Sequence, residues 1–380
     1  MTEAQADARR ALISGAGFAG LTAAFWMREL GYEVTVVETA RGLKKGGTPV
    51  DIRDETIEIV RRMGLLDAVR ARSLPPRTTE FVDAAGTIVA RMDPEAADAD
   101  GPTDAPGDGY EIHRDDLLEI LFERIDGEVE VLFDDSITSM VDSPDGVRVG
   151  FRDGSERDFA LVLGCDGNHS TVRRLRFGEE GRYTHFLQNY FSVAIVDEEL
   201  LEPGVTRILS TPGHTLMLNA YDGSTDIVVT FHADDEIAYD HRDADEQRRI
   251  LRERSAAGGE AFIRMVEKAE SADDLYFDKL SQTRMPTWVS GRVALVGDAG
   301  YCASPAAGMG GSLAILGATA LHDAFATAGG DIEAAFREYE TSFRPVAERI
   351  QDQALAFGLP AFFPETQEAI DARNAMLAGA

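Results

Sequence analysis

A glycine-rich turn near the N-terminus constrains the fold more than any other feature of this sequence. Gly15, Gly17 and Gly20 belong to the segment GAGFAG, which follows the apolar run 11–13. The first glycine permits a tight turn, the second lets the backbone approach a pyrophosphate, and the third lets a helix pack closely on a strand. The pattern therefore predicts a strand that runs into a helix whose N-terminus faces a phosphate group.

The residues after this turn complete a βαβ unit, which is the context that the glycine pattern requires. A helix is predicted over 19–30 and a second strand over 33–38, so Phe18 and Ala19 lie at the phosphate-facing start of the helix. Glu38 ends the second strand, where a carboxylate can accept hydrogen bonds from ribose hydroxyls. The alternative for Glu38 is an exposed acid at a strand end.

A second glycine-rich segment lies near the other end of the chain. Gly297 and Asp298 follow the apolar run 293–296, where a strand should again run into a helix. One phosphate-binding turn indicates a dinucleotide, whereas two that are nearly the whole chain apart favour a large dinucleotide held along its length, FAD rather than NAD. The downstream residues of this segment are Pro305, Gly308, Gly310 and Gly311.

The charge balance argues against two classes of partner. The 380 residues include 37 basic and 67 acidic side chains, which gives a formal net charge of −30. Such a surface repels nucleic acid and anionic lipid, so we expect neither as a partner. Stable membrane insertion is not expected either, because the late apolar run 354–363 is too short to span a bilayer.

The cysteines and histidines show no spacing typical of metal ligands, so no metal is expected. Cys165 and Cys302 both fall inside the motifs rather than at positions that suggest a disulfide, and the N-terminus carries no secretory signal. These features predict a cytoplasmic protein.

We expect a mixed α/β fold, in which a Rossmann-like FAD-binding domain carries an inserted antiparallel-sheet substrate domain and a long C-terminal helix. The FAD-binding domain is predicted to comprise 1–72, 110–176 and 283–330, and the substrate domain 73–109 and 177–282. The C-terminal bridging helix is predicted within 331–380. The finer predictions are one helix over 54–72, one over 243–269, a β-meander over 129–165 that returns to the main sheet, and a surface loop over 93–109.

A third motif identifies a family. Gly164-Cys165-Asp166-Gly167 is followed by Ser170, Val172 and Arg173. Together with the two glycine segments, it resembles flavoprotein aromatic hydroxylases of the para-hydroxybenzoate hydroxylase type. Within that group the chain is most similar to the short monooxygenases that inactivate tetracyclines or tailor polyketides. Weaker support comes from segments 47–52 and 113–117, and the middle third of the chain carries no motif.

The resemblance implies roles for several residues. Asp298 would bond the ribitol hydroxyls of FAD, and the segment from Pro305 to Gly311 would pass beneath the isoalloxazine ring. Arg114 would contact the flavin side of the cofactor, or instead form an ion pair at its helix end. Tyr301 stands where the family often has histidine, which leaves a proton-relay role at that position in doubt.

Three further sites keep more than one interpretation each. Asp166 would lie near the cofactor and shape the NAD(P)H interaction, or would cap the next helix. Asp51 would lie near the isoalloxazine, or would stabilise a turn. Arg41, with Lys44 and Lys45, would approach the adenosine end of FAD or the extra phosphate of NADPH, or would belong to a solvated loop.

The implied activity is an FAD-dependent monooxygenase that consumes NADPH or NADH and O2. It would hydroxylate an aromatic or polycyclic small molecule through a flavin C4a-hydroperoxide, with no obligatory catalytic acid or base in the protein. Epoxidation, Baeyer–Villiger insertion, dehydrogenation and a non-catalytic FAD-binding role remain alternatives. We expect a monomer or weak oligomer.

Strand alternation gives Phe191, Met217, Asn219 and Phe231 as candidates for lining the substrate cleft, with packing in a core as the alternative.

Overall fold

The structure is a computed structural model that describes residues 9–44, 46–93, 109–143, 145–241, 243–272 and 275–378. The predicted surface loop 93–109 lies almost entirely outside the described residues, as does Lys45.

The described strands divide into a mainly parallel sheet, a large antiparallel-rich sheet and two small sheets. In chain order they are β1 (Arg10–Ser14), β2 (Glu33–Val37), β3 (Val50–Ile52), β4 (Thr78–Val82), β5 (Ile88–Met92), β6 (Tyr110–Ile112), β7 (Glu130–Leu132), β8 (Ile137–Ser143), β9 (Gly146–Phe151), β10 (Glu156–Phe159), β11 (Leu161–Gly164), β12 (Thr184–Val196), β13 (Val205–Thr211), β14 (His214–Ala220), β15 (Thr225–His232), β16 (Tyr276–Thr283), β17 (Val289–Ser290) and β18 (Val293–Leu295).

The described α-helices pack around the first sheet, cover one face of the second, or join the two near the C-terminus. In chain order they are α1 (Phe18–Glu29), α2 (Glu55–Arg62), α3 (Leu66–Ala71), α4 (Arg114–Glu123), α5 (Thr171–Phe177), α6 (Ala244–Ser255), α7 (Glu260–Glu270), α8 (Asp298–Tyr301), α9 (Gly310–Thr327), α10 (Ile332–Gln353), α11 (Leu359–Phe362) and α12 (Gln367–Ala378).

The first sheet brings the three sequence motifs to one edge. Its order is β17-β18-β11-β1-β2-β7, and all neighbours from β18 to β7 are parallel. Ser14 of β1 lies beside Gly164 of β11, and Gly164 lies beside Leu295 of β18. Because parallel strands end at the same edge, the turns that follow these strands emerge side by side, which is where ligands bind in open α/β sheets.

Two helices, α6 and α7, cover one face of the second sheet. Its order is β16-β12-β15-β14-β13-β4-β5. Apolar side chains of β12, β15 and β16 pack with α6 and α7 in a core that includes Tyr190, Phe231 and Phe262. The opposite face belongs to the other set of alternating residues, among them Phe191 and Met217.

Two of the local predictions need correction, and a third is confirmed. The predicted helix 54–72 is two helices, α2 and α3, separated by a turn at Gly64, whose φ of 75° favours glycine. The predicted helix 243–269 is likewise divided, into α6 and α7, at Gly259 with φ 105°. The meander predicted within 129–165 is present as β8 to β10, which form a separate antiparallel sheet, and the chain then returns to the first sheet in β11, which β7 also joins.

The C-terminal segment contacts both sheets. The predicted long helix is present as α10, which packs on α9 and continues through a π-helical turn, Ala354–Gly358. A Cβ atom on Gly358 would lie 1.9 Å from the carbonyl oxygen of Ala306, so this turn sits directly against the second glycine segment. Helix α12 then packs on β5 and β13. Within the described ranges, no helix has the length and apolar content needed to cross a bilayer.

Candidate active site

The first glycine turn has the geometry that close phosphate approach requires. A Cβ atom on Gly15 would lie 2.5 Å from the carbonyl oxygen of Cys165, and one on Gly20 would lie 1.8 Å from that of Gly15. Gly17, in contrast, meets no protein atom within 4 Å, and no side chain caps α1. The first N–H groups of α1 therefore face open space with the positive end of the helix dipole behind them.

Glu38 lies beside this turn. Its Oε2 accepts a hydrogen bond of 2.8 Å from the backbone N–H of Ala16, and its Oε1 accepts one of 2.8 Å from that of Ala40. The carboxylate thus fixes the end of β2 against the turn. This position is compatible with a ribose contact, which stays a prediction.

Asp166 acts on its own segment. Its carboxylate accepts hydrogen bonds from the hydroxyl of Ser170, from the N–H of Val172 at 3.0 Å and from the hydroxyl of Ser14 at 3.3 Å. These bonds fix the start of α5, as the capping interpretation expects. Burial raises the pKa of Asp166, and its hydrogen bonds act in the opposite direction.

Arg173 ties this segment to the second glycine segment. Its guanidinium is buried and donates to the carbonyl oxygens of Ala299, at 2.9 Å, and Asn168. Glu180 lies 3.7 Å away. Arg173 therefore joins two backbone segments through hydrogen bonds, in addition to its ion-pair contact with Glu180.

The two glycine segments meet at Gly297, whose φ is 70°. A Cβ atom there would lie 2.9 Å from the Cβ of Ala19, the second residue of α1. The next residue, Asp298, opens the short helix α8. Burial raises the pKa of Asp298 to about 6, against the lowering effects of Cys302 and Arg173. A carboxyl group buried in this way gains from hydrogen-bonding partners such as ligand hydroxyls.

The segment after Asp298 ends in a second uncapped helix. Pro305–Ala307 form a 3₁₀ turn, Gly308 adopts a left-handed conformation with φ 63°, and α9 begins at Gly310 without a side-chain cap. A Cβ on Gly308 or Gly310 would meet no protein atom within 4 Å. The first N–H groups of α9 thus face open space, as those of α1 do.

Gly311 connects this helix start to two other predicted site residues. A Cβ on it would lie 3.3 Å from the ring of Phe18 and from Val50, the neighbour of Asp51. The carbonyl oxygen of Asp51 accepts a 2.8 Å hydrogen bond from Ser312 in α9, while its carboxylate pairs with Arg53 at 3.1 Å. Asp51 therefore borders the site.

Arg114 also borders the site. Its guanidinium carbon lies 5.6 Å from the ring centre of Phe18, and the group donates to the carbonyl oxygens of Lys44, at 2.7 Å, and Gly46, at 3.2 Å. The expected ion pair with Asp115 is present at 3.7 Å. Burial lowers the pKa of Arg114, and Asp115 partly offsets this effect. The other predicted cation, Arg41, is exposed on the loop after β2.

Tyr301, at the position where the family often has histidine, points into the core. Its hydroxyl lies 2.9 Å from that of Tyr339 in α10, and its ring packs on Trp288. This orientation gives it no access to the open space at Gly310.

The four candidates for the substrate cleft do not share one face. Register pairs Tyr190 with Phe231, so Phe231 lies on the helix-covered face, where it stacks on the Tyr190 ring at 5.3 Å. Phe231 is therefore a core residue and not part of the cleft face. Phe191, Met217 and Asn219 belong to the opposite face, and Asn219 is 4% exposed with its Oδ1 bonded to Thr206.

Sequence reasoning missed Tyr276 and Asp278, which lie on that same face at the β16 edge. Phe191 pairs with Asp278 in register, and the rings of Phe191 and Tyr276 are 5.4 Å apart. Lys44 lies 5.3 Å above the Tyr276 ring. Alternation along β16 could have placed both side chains together, but nothing in the sequence indicated which face β16 turns toward the first sheet.

The donor set fits FAD. Two uncapped helix starts face open space at Gly17 and Gly310, a chemistry that suits a pyrophosphate and an electron-rich ring edge. Asp298 lies in the segment that joins them and suits a ribitol hydroxyl. Among the described residues, no cluster of histidine, cysteine and carboxylate side chains could hold a metal ion. The fold and site therefore define a flavoprotein of the dinucleotide-binding α/β class.

Comparison with known proteins identifies the family. Residues 9–354 match the family described as an FAD binding domain. The chain is 31% identical to a flavin-dependent monooxygenase from an unidentified prokaryote over 352 residues, which cover 92% of this chain and 89% of that protein. The protein belongs to this FAD-binding family of flavin-dependent monooxygenases.

The chain is also similar to a second protein in sequence and to a solved structure in fold. An uncharacterized protein of Mycobacterium tuberculosis (strain H37Rv) is 38% identical over 341 residues, covering 90% of this chain and 91% of that protein. The crystal structure of the tetracycline destructase Tet(51) superposes with a TM-score of 0.84 at 29% identity, covering 98% of this chain and 96% of the other. The predicted α/β fold with its FAD-binding domain and long C-terminal helix is confirmed.

Proposed function

We propose that this protein uses FAD and a reduced nicotinamide nucleotide, NADPH or NADH, to insert one atom of O2 into an aromatic or polycyclic small molecule. One observation supports this most: two uncapped helix starts and the half-buried Asp298 converge at one sheet edge, near the face of the second sheet that carries Phe191 and Tyr276. Ligand pockets favour such junctions between structural units.

Bound FAD would supply the redox chemistry with NAD(P)H and O2, which no side chain can perform. The start of α1 at Gly17 would hold the pyrophosphate, and Glu38 would accept from a ribose hydroxyl. Asp298 would bond the ribitol. The start of α9 at Gly310 would present N–H groups to the ring edge that gains negative charge on reduction.

The cations at the rim would complete cofactor binding. Arg114, half-buried beside Phe18, is placed to meet an anionic or hydroxyl-rich part of FAD with its remaining guanidinium donors. Arg41 is exposed, in a chain with a formal charge of −30, and would attract the phosphates of the nicotinamide nucleotide.

A flat, partly aromatic substrate of the polyketide or tetracycline kind is the proposal for the cleft. The similarity to a tetracycline destructase supports this substrate class. The cleft face combines apolar and polar side chains, Phe191 and Tyr276 beside Asp278, as a partly oxygenated ring system would require. We place the protein in the cytoplasm as a monomer or weak oligomer, consistent with its two free cysteines.

The test is a labelled-oxygen experiment on the FAD-loaded protein. A panel of tetracyclines and aromatic polyketides would be incubated with ¹⁸O2 and with NADPH or NADH, and products would be analysed by mass spectrometry. A product heavier by one labelled oxygen supports the proposal, and its structure separates hydroxylation from epoxidation or Baeyer–Villiger insertion. Substrate-independent NAD(P)H oxidation without a labelled product contradicts it.

Binding of FAD is checked separately, with a matched pair of variants. Asp298→Ala removes the half-buried carboxyl group of the site, whereas Asp67→Ala removes a fully exposed one on α3. We expect a colourless or weakly coloured Asp298→Ala protein and a normal yellow Asp67→Ala protein. A normal flavin content in both would contradict the role given to Asp298.

A further inference from the structure

A hydrogen-bonded row of side chains leads from the cleft to the surface of the protein, away from the glycine segments. The hydroxyl of Tyr276 donates to Oδ2 of Asp278 at 3.1 Å, and Nε2 of His169 lies 3.2 Å from the same oxygen. On the other side of the imidazole, Nδ1 lies 3.2 Å from Oε2 of Glu180. The ring of His241 stacks on that of His169 at 5.1 Å.

The inner end of this row borders the space between the two sheets. Tyr276 is 37% exposed, yet it is surrounded by Lys44, Phe191 and the charge of Asp298, so it faces an opening inside the molecule and not the outer surface. Arg114, which borders the proposed cofactor site, also interacts electrostatically with Tyr276.

The outer end of the row reaches solvent. The side chain of His169 is 37% exposed, whereas that of Asp278 is 6% exposed. Oδ1 of Asp278 accepts from the N–H of Lys279 at 2.8 Å and from Tyr239 at 3.4 Å, which leaves Oδ2 to be shared by Tyr276 and His169. The middle of the row is thus held rigidly and kept from bulk water.

The charge state of the row suits proton transfer. Asp278 first, and then Glu180, raise the pKa of His169 to about 9. At neutral pH the imidazole is therefore a cation with a proton on each ring nitrogen, while the same interactions contribute to lowering the pKa of Asp278. The groups that face His169 are Asp278, Glu180 and His241, and Arg173 and Lys279 act on Glu180.

Monooxygenation creates a demand for protons in this cleft. Per turnover, NAD(P)H, O2, one proton and the substrate give NAD(P)⁺, water and the oxygenated product. The site must exclude bulk water while this happens, because water diverts such chemistry toward hydrogen peroxide. A dedicated path would deliver the proton to the cleft while bulk water stays excluded.

We propose that His169, Asp278 and Tyr276 form a proton path from solvent to the cleft, an inference that rests on the proposed function. His169 passes its Nε2 proton to Oδ2 of Asp278, Asp278 passes a proton to the hydroxyl oxygen of Tyr276, and Tyr276 releases its phenolic proton into the cleft. His169 then takes a new proton from solvent. One proton moves inward, and all three side chains return to their starting states.

A purely structural role makes a different prediction. His169 follows β11 of the first sheet and Asp278 lies on β16 of the second, so the same contacts would also serve as a clamp between the two sheets. Loss of a clamp lowers the melting temperature and FAD affinity. It does not slow a proton-consuming step in protein that still holds FAD.

The test uses oxidation of reduced FAD by O2, which consumes one proton and needs neither NAD(P)H nor the substrate. FAD-loaded protein would be photoreduced without oxygen and mixed with oxygenated buffer in a stopped-flow instrument. We expect Tyr276→Phe, Asp278→Asn and His169→Ala to slow reoxidation about tenfold or more at pH 7.5. The wild-type rate should fall as the pH rises through about 9, where His169 loses its charge.

Two controls separate transfer from structure. Lys268→Gln breaks an exposed ion pair with Glu198 at α7, on the opposite face of the second sheet from the row, and should leave the rate unchanged. Millimolar imidazole should restore the rate of His169→Ala, because the removed ring was partly exposed. NMR titration of the FAD-free protein should show the pKa of His169 falling toward its ordinary value in Asp278→Asn.

Unchanged rates in the three variants, equal slowing in Lys268→Gln, or slowing of His169→Ala that imidazole does not reverse would overturn the proton path. Protein that reoxidises as expected but yields no labelled product would overturn only the proposed function. Protein that cannot bind FAD would overturn both.

Discussion

At the scale of one residue, the ionised carboxylate of Asp298 destabilises the FAD-free protein, and a bound ligand would offset this free-energy penalty. Burial raises the pKa of this carboxyl group to about 6, so ionising it above that pH opposes folding of the ligand-free protein. Ribitol hydroxyls would give the carboxylate donors in addition to the Cys302 thiol that the protein provides. The residue that weakens the empty protein would then also be one that holds FAD.

The pH dependence of stability tests this idea. Because the folded pKa lies above the ordinary value of 3.8, stability from the protonated group is present below pH 4 and is lost as the pH rises through 6. Asp298→Asn cannot ionise, so its stability relative to the wild type should change with pH. We expect the difference in free energy of unfolding, variant minus wild type, to be about 1–3 kcal/mol larger at pH 7.5 than at pH 4.5 in the FAD-free protein. Urea unfolding of both proteins at the two pH values measures this, and a difference that does not change with pH would contradict it.

Substitution by alanine should affect FAD binding at one glycine of the first turn and folding at another. A methyl group on Gly17 meets no protein atom, whereas one on Gly20 would lie 1.8 Å from a backbone oxygen. We expect Gly17→Ala to keep the melting temperature of the FAD-free protein but to weaken FAD binding about tenfold or more. Gly20→Ala should fail to fold normally. Calorimetry and FAD fluorescence titration check this, and normal FAD affinity in Gly17→Ala would place the pyrophosphate elsewhere.

Among the secondary-structure elements, helix α12 depends on one buried cation. Arg373 is 7% exposed and donates to the hydroxyl of Ser210 on β13 and to the carbonyl oxygen of Ala361, both at 3.1 Å. Its guanidinium also lies 4.8 Å from the ring centre of Phe81. These contacts attach the last helix to the interior strands β13 and β4 of the second sheet.

Removal of this side chain should free the helix without unfolding the molecule. Arg373→Ala should lower the stability of α12 by about 1–3 kcal/mol and speed hydrogen exchange across 367–378. The matched control is Arg337→Ala, which removes an exposed arginine whose ion pair with Glu333 is 3.8 Å long and should change little. Equal exchange of α12 in all three proteins would show that other contacts hold it.

The sequence predicted elements well where the signal was local. The βαβ unit, its glycine turn and the long helix α10 each depend on residues that are close in sequence. The break of the predicted helix at Gly64 escaped detection because an isolated glycine often occurs within a helix. Alternation placed Phe191 and Phe231 in strands, but only the packing of α6 and α7 shows which face is covered, and so the sequence could not decide between cleft and core for Phe231, which lies in the core.

At the scale of the whole molecule, the site exists only because distant segments meet. Gly15 contacts Cys165, and Gly297 contacts Ala19, although these pairs are far apart in sequence. The sequence indicated each motif but not their separation in space, since strand order in the first sheet determines it. A ligand that touches all these segments should therefore couple to folding of the complete chain.

This coupling can be tested by dividing FAD into its halves. The FMN half would occupy the Asp298 and α9 side, and the AMP half the α1 side near Glu38. Because one covalent link makes the second contact intramolecular, we expect FAD to bind about 100-fold or more tightly than FMN or AMP alone, and a mixture of the two not to match it. At 100 times its dissociation constant, FAD should stabilise the protein by about 2.7 kcal/mol. Isothermal calorimetry and thermal unfolding measure both quantities. If FMN alone bound as tightly as FAD, the first glycine turn would contribute nothing, and a cofactor held along its full length would be the wrong description of this site.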